Sequence, residues 1–493
     1  MSKILTINQL AKKLKKKKFS LVHGVFDIIH IGHKKHFDIA RSYTGFLVVS
    51  ITSDRYVRKG PNRPMFSEDY RAEMISSFEN VDAVVINDDV TSINLINKVK
   101  PNFYFKGNDY KNFKNDITNN IQKEINAVER NNGKIIFTDD VQFSSSKIIN
   151  TNLTQLNVRN NQKFKDKCIK ALDDIKNLKV CIIGEMIFDK YVYCSELEKP
   201  SKEMIQAVER KNEKLYFGGS FAIAKNISEF CKSVDLFIGG NFKREIIKKL
   251  NDNKNQNINL KIFKNNFNTI TKTRFINFSG RKLFEIYERD GKDRKFDSKL
   301  FEQSIKKQIK NYDLVILSDF GHNFINKNLS NIVQKDAKFL SINTQTNSDN
   351  RGFNLITKYS RANNIVIDQP EIRLALSDRE KSISLLSKEL MKKINTKNLM
   401  VTMGKDGIHL VSKIKKNKIA ELQLPAFEKK PLDTMGAGDA VFGICSLLSA
   451  AKVDPETTIF VSNIFGSIAT KILGHENYIK KIEVTKSIQY MLK

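Results

Sequence analysis

The stretch Leu21–Ala40, LVHGVFDIIHIGHKKHFDIA, constrains the fold of this chain most. Leu21 and Val22 read as buried strand and Gly24 as a sharp turn, while His30-Ile31-Gly32-His33 falls where the next helix must begin. A helix N-terminus presents unpaired N–H groups and positive dipole character, so it favours a bound phosphate. Two imidazoles one turn apart add donors beside it. Gly32 between them carries no Cβ, which lets a ligand lie close to the backbone.

The segments that follow alternate. Strands are expected at Phe46–Thr52, Val81–Ile86, Phe103–Lys106 and Lys134–Phe137, with helical patterns at Ser67–Phe78 and Ser92–Val99. Short apolar runs separated by helices predict an α/β domain with a doubly wound parallel sheet over residues 1–150. In such sheets the ligand lies beyond the carboxyl ends of the strands, where the His30/His33 turn falls. Residues 151–177 are rich in Asn and Lys and read as a linker passing into an amphipathic helix, and Lys179–Gly184 opens a new strand. The 493 residues therefore predict a second α/β domain over 178–493.

Near the end, Asp433-Thr434-Met435-Gly436-Ala437-Gly438-Asp439 precedes an apolar helix at Ala440–Ala450. Three small residues at a helix start make a backbone nest for a developing anion, and Asp439 beside it is placed to take a proton from an attacking hydroxyl.

Composition narrows the class. The five cysteines are scattered, with no C-x-x-C pair, so reduced thiols are expected and neither a zinc site nor a disulfide framework. A net charge of +30 invites a nucleic-acid partner, but Lys, Asn and Ile are enriched along the whole chain and the one dense run, Lys12–Lys18, fits a solvated helix. No nucleic-acid partner is expected. No apolar run approaches a membrane span, and the lysine-bearing N-terminus has no apolar h-region after it, so no membrane association and a cytoplasmic location are expected.

The pattern G-x-F-D-x-x-H-x-G-H over Gly24–His33 resembles the nucleotidylyltransferase superfamily, the cytidylyltransferase-like enzymes whose HxGH motif holds the triphosphate of CTP or ATP. Three later pieces extend the resemblance: Lys59-Gly60 with Arg63-Pro64, Phe105-Lys106-Gly107-Asn108-Asp109-Tyr110, and Phe143-Ser144-Ser145-Ser146. It implies catalytic roles for His30, His33 and Lys59, and nucleotide or phosphate contacts at Gly24, Phe26, Asp27, Gly32, Arg63, Lys106, Ser144, Ser145 and Ser146. Class I aminoacyl-tRNA synthetases share a similar signature and are the rival, but those enzymes continue into an anticodon-binding region rather than a second enzyme-like domain.

D-T-x-G-A-G-D over Asp433–Asp439 resembles the ribokinase-like sugar kinases of the PfkB family. This resemblance implies Asp439 as catalytic base, Thr434, Gly436, Ala437 and Gly438 around the transferred phosphate, and Thr402, Gly404 and Gly407 on the ATP side. It implies sugar contacts from Asp189, Gly218, Gly219 and Asn226, and a magnesium ion organised through water by Glu371. The chain departs from the family pattern at Glu185, Ala222, Asp368 and Ser341–Thr346.

Together the two halves resemble bifunctional heptose kinase and heptose-phosphate adenylyltransferase enzymes with the domain order reversed. That implies a Mg2+-dependent enzyme that phosphorylates a heptose-like sugar with ATP and transfers a nucleotidyl group from ATP or CTP to a sugar phosphate, making an activated sugar for lipopolysaccharide or capsule. The alternative is an active nucleotidylyltransferase whose kinase-like half only binds sugar or oligomerises. A homodimer is implied by the family likeness alone.

Overall fold

The computed structural model describes residues 3–492 apart from 16, 108–119, 139–161, 199–204, 266–267, 279, 290–297, 349 and 416–417. The chain divides into two compact units, residues 1–161 with 485–493 and residues 162–484.

In the first unit, strands β1 (Ser20–Gly24), β2 (Leu47–Thr52), β3 (Ala83–Asn87), β4 (Phe103–Gly107) and β5 (Lys134–Thr138) form one sheet in the order β3-β2-β1-β4-β5. Every neighbouring pair is parallel. Parallel strands need crossover connections, and the helices Ile31–Ser42, Glu68–Ser76, Ile93–Val99 and Asn120–Arg130 supply them. Alternation along each strand splits the apolar residues between two faces. Leu21, Val48, Val85 and Tyr104 pack with Leu95, Ile96 and Val128 on one face. Val22, Val49, Val84 and Phe105 pack with Phe37, Ala72 and Ile75 on the other. The sheet is covered on both sides, which is why β2 is buried at all six positions. The strand order reverses at β1/β4, so the turn after β1 lies at the topological switch point where doubly wound sheets hold ligands.

The turn itself differs from its expected form. Phe26, not Gly24, adopts the left-handed conformation, at φ 51°. Gly24 is a glycine because the Phe26 ring folds back over it, to within 2.9 Å of where a Cβ would sit. Phe26 then packs edge-on against Phe37 and His33, so its side chain belongs to the core rather than to a ligand contact.

Arg71 ties the loops at this rim together. Almost fully buried, its guanidinium donates to the carbonyls of Val25, Thr52 and Phe66 and to Asp54 Oδ1. The chain thus leaves β1 and β2 along paths fixed by one side chain.

In the second unit a nine-stranded sheet is built from β6 (Lys179–Gly184), β9 (Ser233–Gly240), β10 (Ile258–Lys264), β13 (Leu314–Asp319), β14 (Leu340–Thr344), β15 (Asn364–Asp368), β16 (Asn398–Thr402), β17 (Ile408–Lys415) and β18 (Lys418–Leu424). Its order is β10-β9-β6-β13-β14-β15-β16-β17-β18, parallel as far as β16 and antiparallel over the last two pairs. A separate mixed sheet, absent from the sequence-based expectation, joins β7 (Met186–Glu196), β8 (Val208–Gly219), β11 (Ile270–Asn277) and β12 (Lys282–Glu288) in the order β12-β11-β7-β8. Helix Gln162–Asp174, expected to close the linker, belongs to this unit: Phe164 packs edge-on against Phe460 and Lys167 pairs with Asp454 at 3.0 Å. Among the described residues no helix is long and apolar enough to cross a membrane.

Replacing Arg71 by Met keeps the apolar stem but strands three carbonyls and Asp54. The first unit is expected to lose about 3–5 kcal/mol of stability, the cost of breaking a buried charged network, read as faster native-state hydrogen exchange of the β1 and β2 amides.

Candidate active sites

The first site forms where β1 hands over to helix Ile31–Ser42. His30 caps that helix, and its ring stacks on His33 with centroids 3.9 Å apart. Two imidazolium ions could not share that spacing. Burial, joined by the neighbouring charges of His30, Lys59 and His36, pushes His33 down to about 3, and burial lowers His30 as well. His33 Nδ1 accepts the His30 backbone N–H at 3.3 Å, so the neutral ring carries its proton on Nε2. The pair is therefore a set of neutral donors at a positive helix end, with Lys59 close enough to act on His33 through its charge. Gly32 lies between them in the first helical turn.

Other predicted members of this site have structural partners. Asp27 is buried, with Oδ1 accepting the Met65 and Phe66 N–H groups and Oδ2 facing buried Arg63 at 3.4 Å. Lys106 is buried against Glu124 at 3.0 Å; Glu124 also accepts from Tyr104 Oη and the Ser92 N–H. Although burial opposes it, the Glu124 charge holds the Lys106 ammonium well above the usual lysine range, and the same pairing brings Glu124 down to about 2. Lys106 thus supports the end of β4 rather than offering an unengaged cation. Ser144, Ser145, Ser146 and the segment Asn108–Tyr110 lie outside the described residues.

The second site is a cavity of about 830 Å3 at the carboxyl ends of the second unit's strands. Lys272, Arg274 and Lys282 form one wall from the mixed sheet. Gln345, Glu371 and Thr402 approach from β14, β15 and β16, and Thr434, Gly436 and Gly438 close it from the start of helix Ala437–Ala450. Gly436 caps that helix at φ 76°, a conformation that costs a residue with a Cβ, so the nest requires glycine there.

Asp439 follows in the first turn and is buried. Burial pushes its carboxyl up to about 7, aided by the Asp189 charge, against the opposing influence of His475, Lys272 and a 2.7 Å hydrogen bond donated by Gln345. Asp433, six residues earlier, behaves in the opposite way. Burial again acts to raise it, but Lys282, the N–H groups of Gly474 and Met435, and the Tyr191 hydroxyl donate to it and hold it below the usual carboxylate range. Glu371 is pushed up to about 8 by burial and by Asp368; its two oxygens accept the Thr346 and Asp368 N–H groups. Among the described residues no group of three or more His, Cys, Asp or Glu side chains is placed to hold a metal directly. Asp368 and Glu371 place two carboxyl groups together on the cavity wall, where a divalent cation carried in with phosphates would offset their mutual repulsion.

Several sugar-side expectations change. Asn226 Oδ1 accepts the Ile479 N–H at 3.2 Å and anchors that segment instead of facing the cavity. Gly218 is the penultimate residue of β8, and Gly219, at φ 63°, ends that strand and caps helix Ser220–Ser228. Thr402 lines the cavity, whereas Gly404 and Gly407 sit in the turn beyond it, and Gly407 is fixed by packing because a Cβ there would lie 1.9 Å from the Leu424 carbonyl oxygen. Asp319 accepts from Tyr359 at 2.6 Å and pairs with Lys358, tying down the strand end. Lys282 and His475 were not legible in the sequence. No local pattern marks either, because the β11–β12 hairpin and the chain after the last apolar helix bring them to Asp433 and Asp189.

Residues 177–478 match the family described as pfkB family carbohydrate kinase. The chain belongs to that family. Residues 21–151 match the family described as cytidylyltransferase-like and form the corresponding N-terminal domain. The Bifunctional protein HldE of Campylobacter concisus is 39% identical over 136 residues, 27% of this chain and 29% of the relative. That of Aliarcobacter butzleri is 39% identical over 132 residues, 26% and 28% respectively. The matches thus span less than a third of either relative's length. Among solved structures, Phosphofructokinase-2 from Escherichia coli in complex with potassium aligns at a TM-score of 0.52 and 13% identity, covering 64% of this chain and 100% of the other. A second structure of that protein, with substrates and products, aligns at 0.50 and 14% over 64% and 100%. These two share the fold.

The raised Asp439 carboxyl has a stability consequence. The folded state binds its proton more tightly than the unfolded chain, so wild-type stability falls as pH rises from about 4 towards about 7. Asp439→Asn is therefore expected to melt above wild type at pH 8, with the difference closing towards pH 4.

Proposed function

We propose that the second unit transfers the γ-phosphoryl group of ATP to a hydroxyl of a sugar that already carries an anionic group, and that the first unit transfers a nucleotidyl group from ATP or CTP to a sugar phosphate. The observation that carries the reading is Asp439, a buried carboxyl with a value near neutrality, one residue after a glycine nest at a helix N-terminus that opens on a large cavity. A base poised near the working pH removes the hydroxyl proton most efficiently. The Gly436–Gly438 backbone and the helix dipole meet charge on the transferring phosphoryl group, and the reaction otherwise needs positioning rather than a covalent nucleophile. Magnesium, when bound with ATP, would neutralise phosphate charge, with Glu371 holding its water. Lys272, Arg274, Lys282 and Arg351 all line the cavity, a cationic wall that suits a phosphorylated acceptor better than a neutral one.

In the first unit the attacking sugar phosphate is already ionised, so the site needs donors for the phosphates and not a base. His30, His33 and Lys59 supply them, and the Ser144–Ser146 segment is proposed to complete them. The product would be a nucleotide-activated sugar of the kind used for surface glycans, heptose-like by analogy with the HldE relatives. A second reading, in which the kinase-like half only binds sugar, draws support from Asn226, whose side chain is turned to Ile479.

The two activities are separable by variant. Asp439→Asn is expected to lower ADP release with ATP, Mg2+ and a panel of sugar phosphates by about 10^2- to 10^4-fold while leaving pyrophosphate release intact. In the wild type, ADP release should rise as pH increases through about 7 and the Asp439 carboxyl ionises. His30→Ala with His33→Ala should lower pyrophosphate release by about 10^2- to 10^3-fold and spare ADP release. Pyrophosphate without any ADP would favour the binding-module reading.

A further inference from the structure

Lys59 lies in a loop of the first unit that is tied down on either side. The Val57 N–H donates to the Asp54 carbonyl before it, and the Met65 N–H donates to the Asp27 carboxylate after it. Between these points the backbone turns through left-handed positions at Gly60, φ 97°, and Asn62, φ 54°. The Lys59 ammonium sits on a flexible four-carbon stem, and fixing such a stem on a phosphate costs most of its rotamer freedom. A lysine that serves a triphosphate therefore gains from being ordered before the ligand arrives.

The ordering group comes from the last helix of the chain. Residues 485–493 belong to the first unit, and Ser487, Tyr490 and Met491 share one face of helix Lys481–Met491 at the i, i+3, i+4 spacing. That face lies against the loop. The open side of Gly60 is turned to it, since a Cβ there would meet Met491 Cγ and Ser487 Cα, each at 3.7 Å. Ser487 and Met491 are buried, and the Lys59 ammonium lies over the Tyr490 ring, 5.7 Å from its centroid. In that position Lys59 still acts through its charge on His33. An aromatic face attracts a cation without neutralising it, so the ammonium keeps its charge and its N–H groups for a phosphate. A carboxylate in the ring's place would compete with that phosphate for the lysine.

We propose that Tyr490 is a positioning residue for nucleotidyl transfer: its ring holds the Lys59 ammonium beside the His30/His33 pair, so that the end of the last helix completes the phosphate site of the first unit. This rests on the reading of that site as one for a triphosphate, but it is tested on Lys59 itself rather than by turnover.

The full chain is acetylated briefly with acetic anhydride, and modification of Lys59 is followed by mass spectrometry while inorganic tripolyphosphate is titrated in with Mg2+ as the probe. Because only Lys59 is read, probe bound elsewhere on the chain does not register. In the wild type the probe is expected to protect Lys59. Tyr490→Leu fills much of the space of the ring but has no aromatic face. It should acetylate Lys59 about two- to fivefold faster without probe, and need about two- to fivefold more probe for half-protection, the factor such a contact is worth. Tyr490→Phe keeps the face and should match the wild type in both measurements, which separates the ring's action on Lys59 from a general loosening of the helix. A Leu variant that protects as the wild type does would overturn the proposal, because packing alone would then suffice. So would a Phe variant that behaves as the Leu variant does, which would assign the effect to the hydroxyl. Tighter protection in Tyr490→Leu would also overturn it, since the ring would then hold Lys59 away from the phosphates. No protection of Lys59 in the wild type sinks the triphosphate reading of the site, and this proposal with it, whereas the other adverse outcomes leave that reading standing.

Discussion

Burial of carboxylates is the constraint around which the second unit is arranged. Asp189, Asp319, Asp433, Glu371 and Asp439 are all withdrawn from water at the strand ends, and an isolated carboxylate there would be far too costly to remain ionised. What differs is the donors and the neighbouring charges each receives: Glu371 accepts two N–H groups but is crowded by Asp368 and is pushed up. Asp433 collects donors from Tyr191, Lys282, Gly474 and Met435 and stays ionised; Asp319 has Tyr359 and Lys358. Asp439 accepts from the Gln345 amide alone among the described residues and drifts towards neutrality. Two aspartates six residues apart are thus driven in opposite directions by their surroundings, the pattern by which sites divide structural anchors from groups that exchange protons.

The same logic explains why the nest and the mixed sheet go together. Asp433 begins the turn that leads to Gly436, and Lys282 and Tyr191, which hold it, come from strands β12 and β7 of the mixed sheet. The start of helix Ala437–Ala450 is therefore fixed through a carboxylate to the sheet that forms the opposite cavity wall. A disturbance of that sheet would be felt at the nest without any direct contact between them.

Much of this was legible in the sequence, and the exceptions share one physical cause. The parallel, doubly wound character of the first sheet follows from short apolar runs separated by helices, and His30, His33, Gly436 and Asp439 sit where a strand-turn-helix pattern places them, because each depends on neighbours within a few residues. Roles set by distant partners were misread. Asn226 is committed to Ile479, 253 positions away; Lys106 is committed to Glu124 on the next helix; and Gly407, at φ 92°, also has no room for a Cβ beside the Leu424 carbonyl on the hairpin's return strand. Gly24 is the instructive local case, since its missing Cβ serves the Phe26 ring while the left-handed backbone falls on Phe26 itself. A glycine in a motif reports that space is needed, and only the fold says for what.

The contrast between the two candidate sites is itself chemical. Both lie at the carboxyl ends of parallel strands, beside a helix N-terminus, yet one gathers neutral imidazoles and the other a near-neutral carboxyl. A hydroxyl must lose a proton to become a nucleophile, so phosphoryl transfer to a sugar needs a base close to it. A phosphate monoester is already an anion at neutral pH, and a buried carboxylate beside it would only repel the nucleophile and the triphosphate alike. In the first unit the one aspartate of the turn, Asp27, is turned to backbone N–H groups and Arg63. On the proposed reading that is the arrangement to expect: the motif's acid fixes the loop, the histidines stay neutral so that they do not repel one another, and the His33 proton sits on Nε2 because Nδ1 accepts the His30 N–H.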